Sequence, residues 1–180
     1  MLGVKGVGAL DLSRVQRWLL ANQYRVLERT TSDEAQARSY RQAYEALERG
    51  YEAHYAAAMA HIELNTLSPA QCREVSNILD LYLVLQASYE ALDDREDIEP
   101  YHLVFPGFDP KREPRLKGYA HYLRQPPEGR YARLAVADDL NSGRPMLEEY
   151  RVMLETWTGM FRRRELTAAE VRQLLARAQQ

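Results

Sequence analysis

His54 and His61 fall on one helical face but seven residues apart, which at about 1.5 Å per residue separates them by about 10.5 Å along the axis. One zinc ion, with ligand bonds of about 2.0 to 2.1 Å, does not bridge that gap. His102 and His121 stand alone, and there is neither an HExxH box nor a paired-cysteine motif, so no metal ligand is assigned. Among the serines, Ser13, Ser32, Ser68 and Ser142 sit at helix starts and breaks, where backbone capping accounts for them. Phosphate-cradling loops and the GxSxG elbow are missing; Gly3, Gly6 and Gly8 imitate a dinucleotide fingerprint without a strand before them. Asp138 and Asp139 read as a solvated loop pair rather than an acid and its base. The single cysteine, Cys72, belongs to an apolar helical arc and is expected to be an inert core thiol. No catalytic residue and no cofactor is assigned on these grounds.

Charge is distributed more tellingly. Between positions 111 and 133 lie Lys111, Arg112, Arg115, Lys117, Arg124, Arg130 and Arg133, against Glu113 and Glu128. This basic stretch follows an acidic one, in which Glu90, Asp93, Asp94, Glu96, Asp97 and Glu99 face only Arg95. Two solvated faces that attract each other within the fold are the plainer reading. The sharper one is an anion site in which Tyr119, Tyr122 and Tyr131 supply stacking surfaces. Over the whole chain the formal net charge is -2 and the pI about 6.1, which gives no global pull toward nucleic acid or acidic lipid. A nucleic-acid partner is therefore not expected, and regulation through nucleic acid is the third reading.

Helices must position these residues. The 180 residues are 46% hydrophobic and 28% charged with a mean hydropathy of -0.53, a balance suited to one water-soluble domain. No apolar run approaches the roughly 18 residues that span a bilayer, and one cysteine suits a reducing cytoplasm. Residues 1–11 are expected to form a loose arm, with a single all-α domain over 12–180. Its centre is predicted at 68–92, where Ser68, Pro69 and Gln71 make a capped start. Cys72, Val75, Ile78, Leu79, Leu81, Tyr82, Leu83, Leu85, Tyr89 and Leu92 cover well over half of that helix, leaving Arg73, Asn77, Asp80 and Ser88 for water. So wide an arc requires neighbours on several sides.

Before it, a helix capped by Ser13 is expected to bury Val15, Trp18, Leu19, Val26 and Leu27. A second carries Tyr40, Tyr44, Leu47, Tyr51 and Tyr55 and is expected to bend at Gly50 and proceed toward Leu64. After the central helix, residues 101–110 and 131–136 alternate in a way that predicts, at most, one short two-stranded ribbon. Pro114 opens a helix carrying Leu116, Tyr119, Ala120 and Leu123. Pro145 opens another with a stripe of Met146, Leu147, Tyr150, Met153, Leu154, Trp157, Met160 and Phe161. Thr167 and Glu170 cap the last, which turns Val171, Leu174 and Leu175 inward.

A series of short segments resembles the YfbU family of small bacterial proteins. They are Leu20 to Tyr24, Glu48 to Tyr51, Phe105, Gly107 to Asp109, Glu113, Gly118 and Tyr119, Gly129 to Tyr131, Asn141, Pro145, Met146, Tyr150, Met153, Leu154 and Trp157. They run in order from about residue 13 to 160; Pro114 departs from the pattern, and residues 1–11 lie outside it. The resemblance implies an all-helical, self-associating protein and brings no catalytic residues. Gly50, Gly107, Gly118 and Gly129 read as backbone or close-packing requirements. Asn22, Gln23, Asp109, Arg130 and Asn141 are polar without an evident capping role and form the candidate polar cluster.

The leading expectation is a non-enzymatic, cytoplasmic module that assembles with itself and with a protein partner, suggested by the Met and Trp stripe at 146–161. The alternative is a pocket for a phosphorylated or nucleotide-like ligand near Asp109, Tyr119, Arg130, Tyr131 and Asn141, which requires those side chains to converge.

Overall fold

The structure, a computed structural model, describes residues 10–62, 65–93, 95 and 97–177; the expected arm falls almost entirely outside them. Among the described residues the fold is all-α, with seven helices and no strand: α1 (Arg14–Thr30), α2 (Glu34–Arg49), α3 (Tyr55–Ala58), α4 (Pro69–Ala91), α5 (Pro114–Arg124), α6 (Leu147–Gly159) and α7 (Ala168–Arg177). Contacts gather into two compact units, Met1–Thr66 and Leu67–Gln180.

In the first unit α1 and α2 pack as a helical pair. Ser13 starts α1 with the expected reciprocal bonds to Gln16, and Asp33 caps α2 through the amides of Ala35 and Gln36. The buried face of α1 is not the expected one. Ala21 and Tyr24 turn inward with Leu20 beside them, whereas Val15, Trp18, Leu19, Val26 and Leu27 are all exposed. Sequence periodicity finds a helix's most apolar side, and here the small core of the unit takes the opposite, leaner side. The tyrosine stripe of α2 also fails to continue as one helix. Gly50 adopts φ 76° and ends α2, and a 3-10 turn, Glu52–His54, precedes the four-residue α3. Tyr55 is buried but Tyr51 is exposed. Leu64 lies outside the described residues.

In the second unit α4 is surrounded as its wide apolar arc requires, with α5, α6 and α7 packed on it. Val75, Ile78, Leu79, Leu81 and Leu85 are wholly buried, each stabilising the fold by roughly 1.5 to 3 kcal/mol. Ser68 and Gln71 form the predicted capping box with Pro69 inside it. The strip assigned to water is different: Ser88 is buried and accepts the amide of Leu166 at 3.0 Å. Cys72, assigned to the core, is only half-buried.

Around α4 the rings of Tyr82, Phe105, Phe108 and Tyr150 meet at centroid distances of 5.1 to 5.9 Å. The segments expected to form a ribbon make only isolated parallel bridges, Phe105 with Val136 and Phe108 with Asn141. A ribbon does not propagate because Gln86 of α4 takes the place of a further strand. Its side-chain amide donates to the carbonyls of Leu103 at 2.8 Å and Ala135 at 2.9 Å, and its oxygen accepts the amide of Ala135 at 2.9 Å.

Pro114 opens α5 as expected. The next helix begins two residues after Pro145 and ends at Gly159, and Phe161, placed on its inward stripe by the sequence, is 89% exposed. The last helix follows expectation: Thr167 and Glu170 cap it, and Val171, Leu174 and Leu175 are buried. Among the described residues no helix is long and apolar enough to cross a membrane.

Candidate functional site: a three-arginine groove over the central helix

A helix buried on most of its surface must find partners for its few polar side chains, because a buried polar group without a hydrogen bond is destabilising. On α4 Gln86 bonds the backbone of Leu103 and Ala135, and Asn77, Asp80 and Ser88 each have a partner of their own. Asp80 Oδ1 accepts the Tyr131 hydroxyl at 2.8 Å and pairs with Arg130 Nη2 at 2.9 Å. Asn77 Oδ1 accepts from Arg162 Nη1 at 3.2 Å. Above this strip lies a groove of about 540 Å³, floored by Leu83, Val84 and Ala87 of α4 and by Trp157 of α6. Arg130, Arg162 and Arg164 line it, with Asp80 as the carboxylate among them.

The chain leaves α6 so as to bring arginine back over the groove. Phe161 and Arg162 take φ values of 57° and 49°, a left-handed pair that for residues other than glycine is uphill by about 1 to 2 kcal/mol each. The amide of Arg162 bonds the Trp157 carbonyl at 3.0 Å, and its guanidinium carbon lies 5.4 Å from the centre of the Trp157 ring. Trp157 Nε1 is fixed by the Arg163 carbonyl at 2.9 Å. Arg130 similarly lies 5.7 Å from the Tyr131 ring centre.

Burial, followed by the hydrogen bond to Asp80, pushes the Tyr131 phenol up to about 12 from an ordinary 10.0. The folded protein therefore keeps this proton in a range where the unfolded chain has released it. The resulting stabilisation is fully present below about pH 10 and is lost as pH rises through about 12. Tyr131→Phe should show a shallower decline in stability between about pH 10 and 12 than the wild type, measured by urea unfolding.

Of the residues singled out by sequence, Arg130 and Tyr131 meet at Asp80, and Arg130 lines the groove. The others do not line it. Asp109 is buried in a turn, its Oδ1 accepting the Lys111 amide at 2.7 Å. Asn141 closes a turn through the Gly143 amide at 3.0 Å and is bridged to Phe108. Tyr119 stacks on Tyr122 with centroids 6.1 Å apart. Asn22 and Gln23 belong to α1 in the other unit; Asn22 is half-buried and Gln23 exposed. Of the basic stretch, Lys117 is paired with Asp139 and Arg124 reaches the Leu134 carbonyl.

Asp80, Arg162 and Arg164 were missed by sequence reasoning. The available signal was an aspartate inside the apolar run of residues 78–85 and three consecutive arginines a few residues after Trp157. His54 and His61 line a separate groove of about 570 Å³ in the first unit with Tyr24, Tyr40 and Tyr51. Among the described residues no group of three or more His, Cys, Asp or Glu could hold a metal ion.

Within the second unit the motif residues Gly107, Phe108, Asp109, Glu113, Met146 and Tyr150 meet in one structural node. Gly107 offers its carbonyl to the Tyr150 hydroxyl at 2.7 Å, the Phe108 amide bonds the Leu140 carbonyl at 3.0 Å, and Glu113 accepts the amides of Asp109, Met146 and Leu147. A family model described as YfbU domain matches residues 10–177. The chain belongs to the YfbU family. In this YfbU domain the match crosses both compact units, and its motif residues at 107–113, 141, 146 and 150 join the α4–α5 connection to the start of α6. The arginines at 162 and 164 lie beyond the segments that carried the resemblance, although inside the matched span.

Proposed function

We propose that this YfbU domain is a non-enzymatic assembly module that pairs with a second copy of itself through the outward face of α1. The observation that carries the reading is the exposure of Val15, Trp18, Leu19, Val26 and Leu27, with Val15 65% and Trp18 64% exposed. At 100° per residue Val15, Trp18, Leu19, Asn22 and Val26 form one stripe, opposite the Ala21 and Tyr24 side that packs within the unit. The expected motive for association, the Met and Trp stripe of α6, does not support it, because Met146, Met153 and Trp157 are buried.

The four apolar side chains of the stripe present roughly 430 Å² per copy, so face-to-face pairing would remove about 900 Å² before the flanking residues are counted, close to the lower bound of about 1,000 Å² for a specific interface. Antiparallel pairing about Asn22 would set Trp18 against Val26 of the other copy and bring the two Asn22 amides together. A carboxamide both donates and accepts, so such a pair satisfies itself and fixes register. This gives a family-motif position a role that its own unit does not supply.

Light scattering at low micromolar concentration should give at least twice 20.8 kDa. Trp18→Glu should lower self-affinity at least about thirtyfold, as for the loss of an aromatic anchor of 2 kcal/mol or more, with unchanged circular dichroism. A wild-type monomer at about 100 µM would sink the function, and a Trp18→Glu oligomer would sink the assigned face.

A further inference from the structure

We propose that the groove over α4 is a binding site for a free organic anion, a carboxylate or phosphate carried on an apolar body. Arg130, Arg162 and Arg164 line it, with Asp80 as the one acidic residue among them. That carboxylate is already engaged, since Asp80 holds both Arg130 and the Tyr131 hydroxyl. Arg164 has no ion pair or hydrogen bond among the described residues, and Arg162 spends Nη1 on Asn77 and Nε on the Thr158 hydroxyl while its plane rests over Trp157, which leaves Nη2 for a ligand. The groove therefore carries more positive than negative charge, with the Arg164 fork open to bidentate recognition of a carboxylate or phosphate and Arg162 able to add one further donor.

The floor specifies the remainder of the ligand. Leu83, Val84, Ala87 and Trp157 give it an apolar base, which a bare inorganic ion would leave unused and an acyl or aryl body would cover. A volume of about 540 Å³ suits a small molecule. The left-handed backbone at Phe161 and Arg162 fits the same reading, for it holds the second guanidinium over the indole rather than letting α6 run on into solvent. The proposal is independent of self-association, because α1 contributes nothing to the groove.

Calorimetric titration of the full chain with 2-naphthyl phosphate, inorganic phosphate and 2-naphthol tests the assignment. Naphthyl phosphate should bind saturably with a dissociation constant below about 1 mM, and each fragment at least about tenfold more weakly. Arg164→Ala and Arg162→Ala should each weaken binding about tenfold or more, and Arg164→Glu should abolish it. Since Arg164 is exposed, its variants should melt with the wild type. Ala87→Glu, which puts a carboxylate on the exposed floor of the groove, should abolish binding as well.

No saturable heat from naphthyl phosphate, or undiminished binding by Arg164→Glu and Ala87→Glu, overturns the site. Equal binding of 2-naphthol reduces it to an apolar cleft, and equal binding of inorganic phosphate to an adventitious ion only; either overturns the proposal. Phosphatidylglycerol vesicles should leave the protein in the supernatant on centrifugation. Co-sedimentation that Arg164→Glu removes would assign the groove to a membrane headgroup and overturn the free-ligand reading.

Discussion

Gly107→Ala should destabilise the second unit by about 4 kcal/mol or more, a loss large enough to leave little folded protein at physiological temperature. Gly107 has a φ of 92°, and a Cβ built on it would lie 2.0 Å from the carbonyl oxygen and 2.1 Å from the carbonyl carbon of Leu140. These are backbone atoms, so no side chain can swing aside. Leu140 would have to retreat, taking with it the bond from the Phe108 amide to its carbonyl and disturbing the bond from the Tyr150 hydroxyl to Gly107. The methyl thus acts on the junction of two loops with α6, beside wholly buried Phe105, Phe108 and Tyr150. Gly118→Ala is the matched control: a Cβ there meets nothing within 4 Å, and in the interior of α5 alanine should stabilise by about 0.5 to 1 kcal/mol. Urea unfolding of the two variants should give shifts of opposite sign. A Gly107→Ala protein within about 1 kcal/mol of wild type would mean that Leu140 is free to move and that the junction is not fixed as described.

The pair also shows where sequence reading succeeds and where it stops. Both glycines are family-motif residues and both read as close-packing requirements, yet only Gly107 touches anything. Local signals that act within one turn were legible: Ser13 with Gln16, Ser68 with Gln71 and Thr167 with Glu170 each form the predicted cap, because a cap's partners lie three residues away. The burial of α4 was legible too, since an apolar arc that wide has few alternatives. The inward face of α1 was not. A helix with apolar residues on one side and Ala21, Tyr24 and the stem of Arg17 on the other can pack either way, and the choice is made by α2, whose Leu47 carbonyl takes Arg17 Nη1 at 3.2 Å. Gly50 was read as a passing weakness because its cost inside a helix is small, but a left-handed glycine at a helix end is favourable and the chain takes it. For the candidate site, Arg130 and Tyr131 were found, whereas Asp80 was assigned to water because helical periodicity ranks residues by polarity and says nothing of partners 50 positions away.

Glu113→Ala should lower stability by about 3 to 4 kcal/mol, and Glu113→Gln by roughly half as much. The Glu113 carboxylate sits at the start of α5 and is buried. Its Oε2 accepts the Asp109 amide at 3.0 Å, both oxygens lie 3.1 Å from the Met146 amide, and Oε1 accepts the Leu147 amide at 2.9 Å. Helix α6 has no side-chain cap of its own, and Met146 stands at its N-cap position. Glu113 therefore serves as a cap supplied from 33 residues away: its negative charge faces the positive end of the α6 dipole, and its oxygens satisfy amides that a helix start leaves without intrahelical partners. Alanine removes every acceptor at once and leaves three amides, two of them at the start of α6, with no partner from the protein. Glutamine restores one good acceptor but turns an NH₂ group toward amide donors, so the Asp109 turn or the α6 start must go unsatisfied. Equilibrium unfolding in urea should rank wild type above Glu113→Gln above Glu113→Ala, and amide exchange at Met146 and Leu147 should accelerate in both variants. Equal stability of wild type and Glu113→Gln would show that the charge contributes nothing to the α6 start, and unchanged exchange in Glu113→Ala would remove Glu113 as its cap.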